Sequence, residues 1–405
     1  MSSRAGIATI TKRKNRSQRF PPILQGGFRP FFLGGAVWAL VVVVLWVSVL
    51  TSGAKLATMF DPLVWHRHEM LFGYLGAVIA GFLLTAIPNW TGRPPITGWR
   101  LAMLVGLWLV ARLAVLFSLL VGAGVAAVFD VGFVLVLAAV CAREIIAAKN
   151  RNFPIVLIVL LLAVANGLDH ADAFGLVQLS GSGWRAGFTL IVMLIAVIGG
   201  RIIPTFTRNW LVKHRPTAAS PAPPDRFDSV CLAITAISLA GWVAAFDPLA
   251  VGASLVAAGG FQAVRLSRWC GNKTLREPLV LCLHIAYAWL PIGLLLMGTS
   301  MLHPGVPLTS ALHALSAGAM ASMTLAVMIR ATLGHTGRAL RADGSTVAIF
   351  VLVTVGAAVR VAAPVLPFDY NRTVGLAGFL WGGAFLLFAV AYGPKLLGNS
   401  LKPQT

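Results

Sequence analysis

The chain has 405 residues, 58% of them hydrophobic and 11% charged, with a mean hydropathy of +0.85. So little polar surface cannot cover a water-soluble globule, which leaves an integral membrane protein. The formal charge of +20 would point to nucleic acid in a soluble protein, but here the cations sort by loop and no nucleic-acid partner is expected.

Residues 1–30 form a basic segment that includes Lys12, Arg13, Lys14 and Arg16, with no short apolar core beside a cleavage site, so no removable signal peptide is expected. Apolar runs of about 20 residues, enough to cross a hydrocarbon core of roughly 30 Å, then recur along the rest of the chain. They predict twelve transmembrane helices, at 31–51, 62–87, 99–121, 123–147, 153–173, 185–203, 228–246, 248–265, 277–298, 308–331, 344–363 and 373–394. Asp61 is placed to N-cap the second, with Pro62 at its first position and Pro88 closing it. Residues 213–228, with Pro216, Pro221, Pro223 and Pro224, read as a proline-rich linker. The fold class is all-α, a single polytopic membrane domain over 1–405.

Most of the 32 Lys and Arg fall in the segments on one side of this arrangement; the opposite loops hold Lys55, Arg67, Arg185, Arg360 and Arg372, while Arg112 lies within a span. The positive-inside rule then puts both termini in the cytoplasm. The basic N-terminal cluster either touches anionic membrane lipid or serves only as a topology signal. Cys141, Cys231, Cys270 and Cys282 form neither C-x-x-C nor C-x-x-C-H, which excludes covalent haem attachment and makes them core residues.

The second and tenth spans overlay without a gap: His68 falls on His313, Gly73 on Gly318, and Thr91-Gly92-Arg93 on Thr336-Gly337-Arg338. Phe206-Thr207-Arg208, at the end of the sixth span, is a looser copy. Spans four apart suggest three four-helix units, with chance matching of glycine-rich helices as the alternative.

The densest polar cluster is Trp65-His66-Arg67-His68-Glu69-Met70, where the second span enters the membrane and ionisable groups are costly. His313 and His170 arrive at a depth similar to that of His68. Three or four imidazoles converging at one level suit haem iron or copper, whereas isolated histidines would only hydrogen-bond between helices. His68 with His313 is the expected haem pair. His66 projects about 200° around the helix from His68 and cannot easily share its ligand, so His66 and His170 are left for copper or a second haem. Glu69, in the first turns of its helix, is either a structural carboxylate or a catalytic proton carrier. Arg112 would cost about 2.5–3.5 kcal/mol facing lipid, and Asp130, at similar depth across a tight turn, is its expected ion partner. Toward the other face, His284 and His335 with Arg201, Arg208 and Arg330 form a candidate site for a second cofactor or a propionate, or else helix-end anchors.

The motifs Gly27-Phe28-Arg29-Pro30-Phe31-Phe32, Trp65-His66-Arg67-His68-Glu69-Met70, Pro88-Asn89-Trp90-Thr91-Gly92-Arg93, Gly200-Arg201-Ile202-Ile203-Pro204 with Thr207-Arg208-Asn209, and His313 through Met328-Ile329-Arg330 to Leu333-Gly334-His335-Thr336-Gly337-Arg338 together resemble the NnrS family over nearly the whole chain. The resemblance implies a haem- and copper-containing protein of the bacterial inner membrane, linked to nitric oxide, denitrification and nitrosative stress. Carried over by position, its recurrent histidines are His66, His68, His170, His284, His313 and His335, without assigning each to a metal; Arg67, Arg201 and Arg330 are candidate cofactor contacts on the reading of the residues alone.

A weaker resemblance is to the catalytic subunits of haem–copper oxidases and nitric oxide reductases. This chain lacks a His-x-His on the tenth span and a histidine pair on the seventh, so their binuclear centre does not carry over. The expectation is a nitric oxide reductase-like oxidoreductase with haem b and copper, fed by an electron donor the sequence does not identify. The rivals are a twelve-helix secondary transporter, with Arg112, Glu69 and Asp130 as its sites, and a nitric oxide sensor or store without turnover.

Overall fold

The computed structural model describes residues 20–215, 217 and 220–401, so the basic residues Lys12, Arg13, Lys14 and Arg16 and Pro216 of the linker lie outside it. Among the described residues there is no strand, and 12 helices are long and apolar enough to cross a membrane. They are α1 (Phe28–Ser52), α2 (Pro62–Thr91), α3 (Trp99–Leu116), α4 (Ala123–Ala147), α5 (Phe153–Ala173), α6 (Ser182–His214), α7 (Arg226–Val243), α8 (Pro248–Ser267), α9 (Pro278–Leu302), α10 (Leu308–His335), α11 (Gly344–Ala362) and α12 (Tyr370–Leu397).

Aspartates start several of these helices by accepting bonds from the otherwise orphaned first-turn N–H groups. Asp61 accepts from Leu63 N and Val64 N ahead of Pro62, as expected, while Asp247, Asp343 and Asp369 do the same for α8, α11 and α12. Asp225 and Asp228 form a reciprocal capping box on α7. The expected end of α2 at Pro88 is not where it stops. The helix continues to Thr91 and ends at Gly92, whose φ of 66° only glycine adopts freely. Likewise α6 runs through Pro204 to His214 and takes in residues assigned to the linker. A proline forfeits one backbone bond, and packing on both sides holds the helix together across that gap.

Successive helices pack on one another, and α12 closes back onto α1. In α2 and α10, 67% of the apolar window is buried inside the protein, the highest share of any span, so these two sit inside the bundle rather than facing lipid. Each contains one π-helical turn, Glu69–Tyr74 in α2 and Ala314–Met320 in α10, and α6 touches both. In the gapless register that lays His68 on His313, Glu69 falls on Ala314, so the two π turns begin at the same place. The internal echo in the sequence thus has a backbone counterpart. A π turn adds a residue to the helix and rotates the residues beyond it, a device concentrated at functional sites. Cys141, Cys231 and Cys282 are buried and unpaired, as expected.

Outside the spans, hydrogen bonds from the Thr346 side chain and backbone and from Ser345 hold the Asp343 carboxyl down to about 2. A carboxyl depressed in the folded state stabilises it above the ordinary carboxylate range and loses that contribution as pH falls toward 2. Asp343→Ala should therefore lower stability at neutral pH by about 1 kcal/mol. Thermal unfolding in detergent over a pH series should show the gap from wild type closing as acid protonates the cap.

Candidate functional site

Near the first turns of α2, the chain gathers polar side chains from five consecutive helices. Glu69, on α2, receives Arg112 Nη1 on both oxygens at 2.7 and 2.8 Å and Trp38 Nε1 from α1 at 2.5 Å. Arg112, on α3, gives Nη2 to Asp130 Oδ1 on α4, which is the expected ion pair. Glu69, Arg112 and Asp130 have no exposure at all. A Cβ on Gly73 would run into the Glu69 carboxylate and lie 2.7 Å from Arg112 Nη1, so glycine is required for the guanidinium to fit. With both oxygens engaged, Glu69 has the geometry of a fixed counter-ion.

Asp130 turns its second oxygen to two imidazoles. Oδ2 lies 2.8 Å from His68 Nε2 and 3.1 Å from His170 Nε2, and the other nitrogen of His68 lies 2.8 Å from Asp169 Oδ2. A carboxylate only accepts, and a neutral imidazole carries one N–H, so His68 cannot satisfy both carboxylates as a neutral ring. Charge points the same way. Glu69, Asp130 and Asp169 face Arg112 and the more exposed Arg67, whose Nη2 is 3.6 Å from Asp169 Oδ1. One negative charge is left for a proton or a metal ion to meet, because an unbalanced buried charge is worth several kcal/mol of destabilisation.

A metal fits these donors. His68, Asp130 and His170 each offer one ligand atom, all within 4.8 Å of one another, and theirs is the one such group among the described residues. With Nδ1–H donated to Asp169, His68 presents a lone pair at Nε2, the second-sphere arrangement usual for metal-ligating histidine. Arg112 holds Asp130 by Oδ1 and leaves Oδ2 for the ion. Two imidazoles and a carboxylate, with no thiolate, suit a divalent first-row metal, for which affinity peaks at copper.

His66, two residues earlier, faces elsewhere, as its helical phase requires. It lines a cavity of about 280 Å³ between α1, α2, α6, α10, α11 and α12, just below the roughly 300–1,000 Å³ typical of small-molecule sites. His313 lines the same cavity from α10. The expected pair of His68 with His313 is not brought together: His66, not His68, shares the cavity with His313, because both His68 nitrogens are taken up by carboxylates on the other side of α2. His313 donates Nδ1–H to Thr309 O at 2.7 Å, which leaves Nε2 as the free acceptor. His66 stacks on Trp46, centroids 4.8 Å apart and 13° between planes, and its Nδ1 has no hydrogen-bond partner.

The cavity walls are otherwise apolar and aromatic, and among the described residues no carboxylate lines them. Two guanidiniums do. Arg67 lies over Trp184 with Nε unpartnered; Arg360 donates to Tyr370 Oη at 3.3 Å with Nη1 unpartnered. Two imidazoles, an aromatic sleeve and two partly buried guanidiniums, with no carboxylate on the walls, fit a flat, apolar cofactor that carries anionic groups. Haem with its propionates meets that description.

The remaining candidates are not drawn in. His284 pairs its Nε2 with the Thr207 hydroxyl at 2.9 Å between α9 and α6. His335, at the last turn of α10, packs on Phe28 at 5.4 Å, Arg330 lies over Phe206 at 3.9 Å, and Arg201 is exposed. None of these lines the cavity. The residues missed by sequence reasoning are Asp130 as a candidate ligand, Asp169 and Arg360. Asp169 adjoins His170, and Arg360 was one of the few cations on the sparsely charged side, so both carried a signal that topology absorbed.

Removing Arg112 should be costlier than removing its whole pair. Arg112→Gln leaves Glu69 and Asp130 buried without their cation and should destabilise by about 3–5 kcal/mol, whereas Glu69→Gln with Arg112→Gln should recover part of the loss. Melting temperature in detergent compares the two.

The family model described as NnrS protein matches residues 22–400. No curated protein matches the chain.

Proposed function

Because the chain belongs to the NnrS family, we propose that it is a haem-bearing, metal-binding protein of the bacterial inner membrane that binds nitric oxide and reduces or otherwise disposes of it, in denitrification or under nitrosative stress. The observation that carries this reading is the pair His66 and His313 on the walls of one apolar cavity, flanked by Arg67 and Arg360. Haem held there would supply an iron centre for redox chemistry.

The chain's own residues prepare that position. Thr309 fixes the His313 tautomer, Trp46 stacks on His66, and Arg67 and Arg360 would hold the cofactor's carboxylates. Tyr74, also on the cavity wall, ties α2 to α10 through Thr324. The apolar walls exclude water, and a membrane-soluble diatomic substrate needs no polar entry route. His68, Asp130 and His170 would hold the second metal, copper by donor set, with Asp169 and Arg112 orienting them. Both termini lie in the cytoplasm in this reading.

Two experiments separate the sites. His66→Ala and His313→Ala should each abolish or shift the Soret band of purified protein, while His284→Ala and His335→Ala leave it unchanged; a Soret band indifferent to both cavity variants sinks the haem assignment. His68→Ala and Asp130→Asn should remove non-haem metal, measured by elemental analysis, with the Soret band retained. Consumption of nitric oxide in the presence of a chemical reductant distinguishes turnover from simple binding.

A further inference from the structure

The two sites meet at one residue. His66 faces the cavity and His68 faces the metal ligands, and Arg67 between them reaches both ways: it lines the cavity, and its Nη2 is 3.6 Å from Asp169 Oδ1. The other oxygen of Asp169 accepts from His68 Nδ1 at 2.8 Å. Among the described residues, Asp169 is the one carboxylate that contacts a side chain of each site.

Asp169 cannot retreat from this position. It is fully buried on α5, and a Cβ on Gly183 of α6 would lie 2.5 Å from its backbone N, so the two helices are in backbone contact at this level. Oδ1 has no hydrogen bond, and Arg67 is the one cation paired with it. Arg67 is also incompletely engaged, with Nε unpartnered and its guanidinium carbon 5.4 Å from the Trp184 ring centroid. A guanidinium shared between a cavity and a buried carboxylate responds to what the cavity holds.

We propose that Asp169 and Arg67 couple the loading of the two sites, an inference that rests on the cavity taking a carboxylate-bearing cofactor and on the histidine–aspartate cluster taking a metal ion. An anionic group on Arg67 competes with Asp169 for the guanidinium. Asp169 then becomes the stronger acceptor for His68 Nδ1–H, and His68 Nε2 becomes the better donor to the metal. Both effects have the same sign, so the cofactor tightens the metal. Linkage makes the effect reciprocal, and the metal tightens the cofactor by the same factor. Asp169 is a positioning residue here, touching neither cofactor nor metal.

The test uses full-length protein in nanodiscs, prepared haem-free and metal-free, with Co²⁺ as a coloured probe and haem as the second ligand. Co²⁺ affinity, read from its visible absorption, should rise about tenfold when haem is bound, within the roughly 5–150-fold range of ordinary coupling. Haem affinity should rise by the same factor when Co²⁺ is bound. Asp169→Asn should weaken Co²⁺ binding by about 10–100-fold and remove the dependence on haem. Should that variant fold poorly, Arg67→Gln keeps Asp169 in place and should likewise make Co²⁺ affinity indifferent to haem. Equal Co²⁺ affinity with and without haem, when both demonstrably bind, overturns the coupling alone; failure of either ligand to bind overturns the site assignments and the coupling with them.

Discussion

Three carboxylates buried where lipid surrounds the protein must be matched by cations, and the first five helices are arranged around that requirement. Trp38, Glu69, Arg112, Asp130 and the Asp169–His170 pair come from α1, α2, α3, α4 and α5 in turn, so the network fastens each helix to the next. Its position comes from the same physics. Ionisable groups are least costly inside a bundle rather than facing lipid, and these residues are buried. What the network does not do is close on itself, since its two guanidiniums leave His68 between two acceptors. That shortfall turns a structural cross-brace into a site with an appetite for a cation.

α2 is the wall common to both sites, and its local geometry decides how they divide. Successive residues of a helix point about 100° apart, so His66, Arg67 and His68 fan across the cavity, the boundary and the metal ligands within less than one turn. The π turn begins directly after them, at Glu69. In α10 it begins directly after His313. Because α6 touches both π turns, it forms the back of the space between the two helices, and the cavity lies where these three come together with α1, α11 and α12.

Much of this was legible in the sequence because hydrophobic length and loop charge are strong, local signals. The number of spans, the Asp61 cap and the Arg112–Asp130 pair could be read from composition, spacing and depth. The opposed facing of His66 and His68 came from helical period alone. The partner of each histidine did not. His68 and His313 match in depth and in the internal repeat, yet depth fixes only the coordinate along the membrane normal, and rotation about α2 sends His68 toward α4 and α5. Asp169 and Arg360 were hidden for a related reason, since whether a charged residue near a helix end turns inward depends on neighbours far away in sequence. The helix ends at Pro88 and Pro204 misled because a proline's cost, about 3 kcal/mol in isolation, is outweighed by tertiary packing.

A second buried polar network lets the first be judged. In α7, α8 and α9, Arg265 bonds Asp228 at 2.8 Å, the Ala196 carbonyl at 2.8 Å and Tyr287 Oη at 2.9 Å, and Tyr287 donates to Gln262, which donates to Thr235. Asp228 meets both Arg265 and, at 3.5 Å, Arg268, which also pairs with Asp225, so two carboxylates balance two guanidiniums there, and none of Asp228, Arg265, Tyr287 and Gln262 has a buried polar atom without a partner. Such a network is complete as it stands and asks for no ligand. Around α2 and α5 the opposite holds, with unpartnered buried atoms on His66, Arg67, Asp169 and His170. Each such atom costs about 1–3 kcal/mol while nothing binds it, and these four belong to the residues that build the two sites. The contrast within one molecule, under one dielectric, separates the polar residues that hold helices together from those held in place for something else to bind.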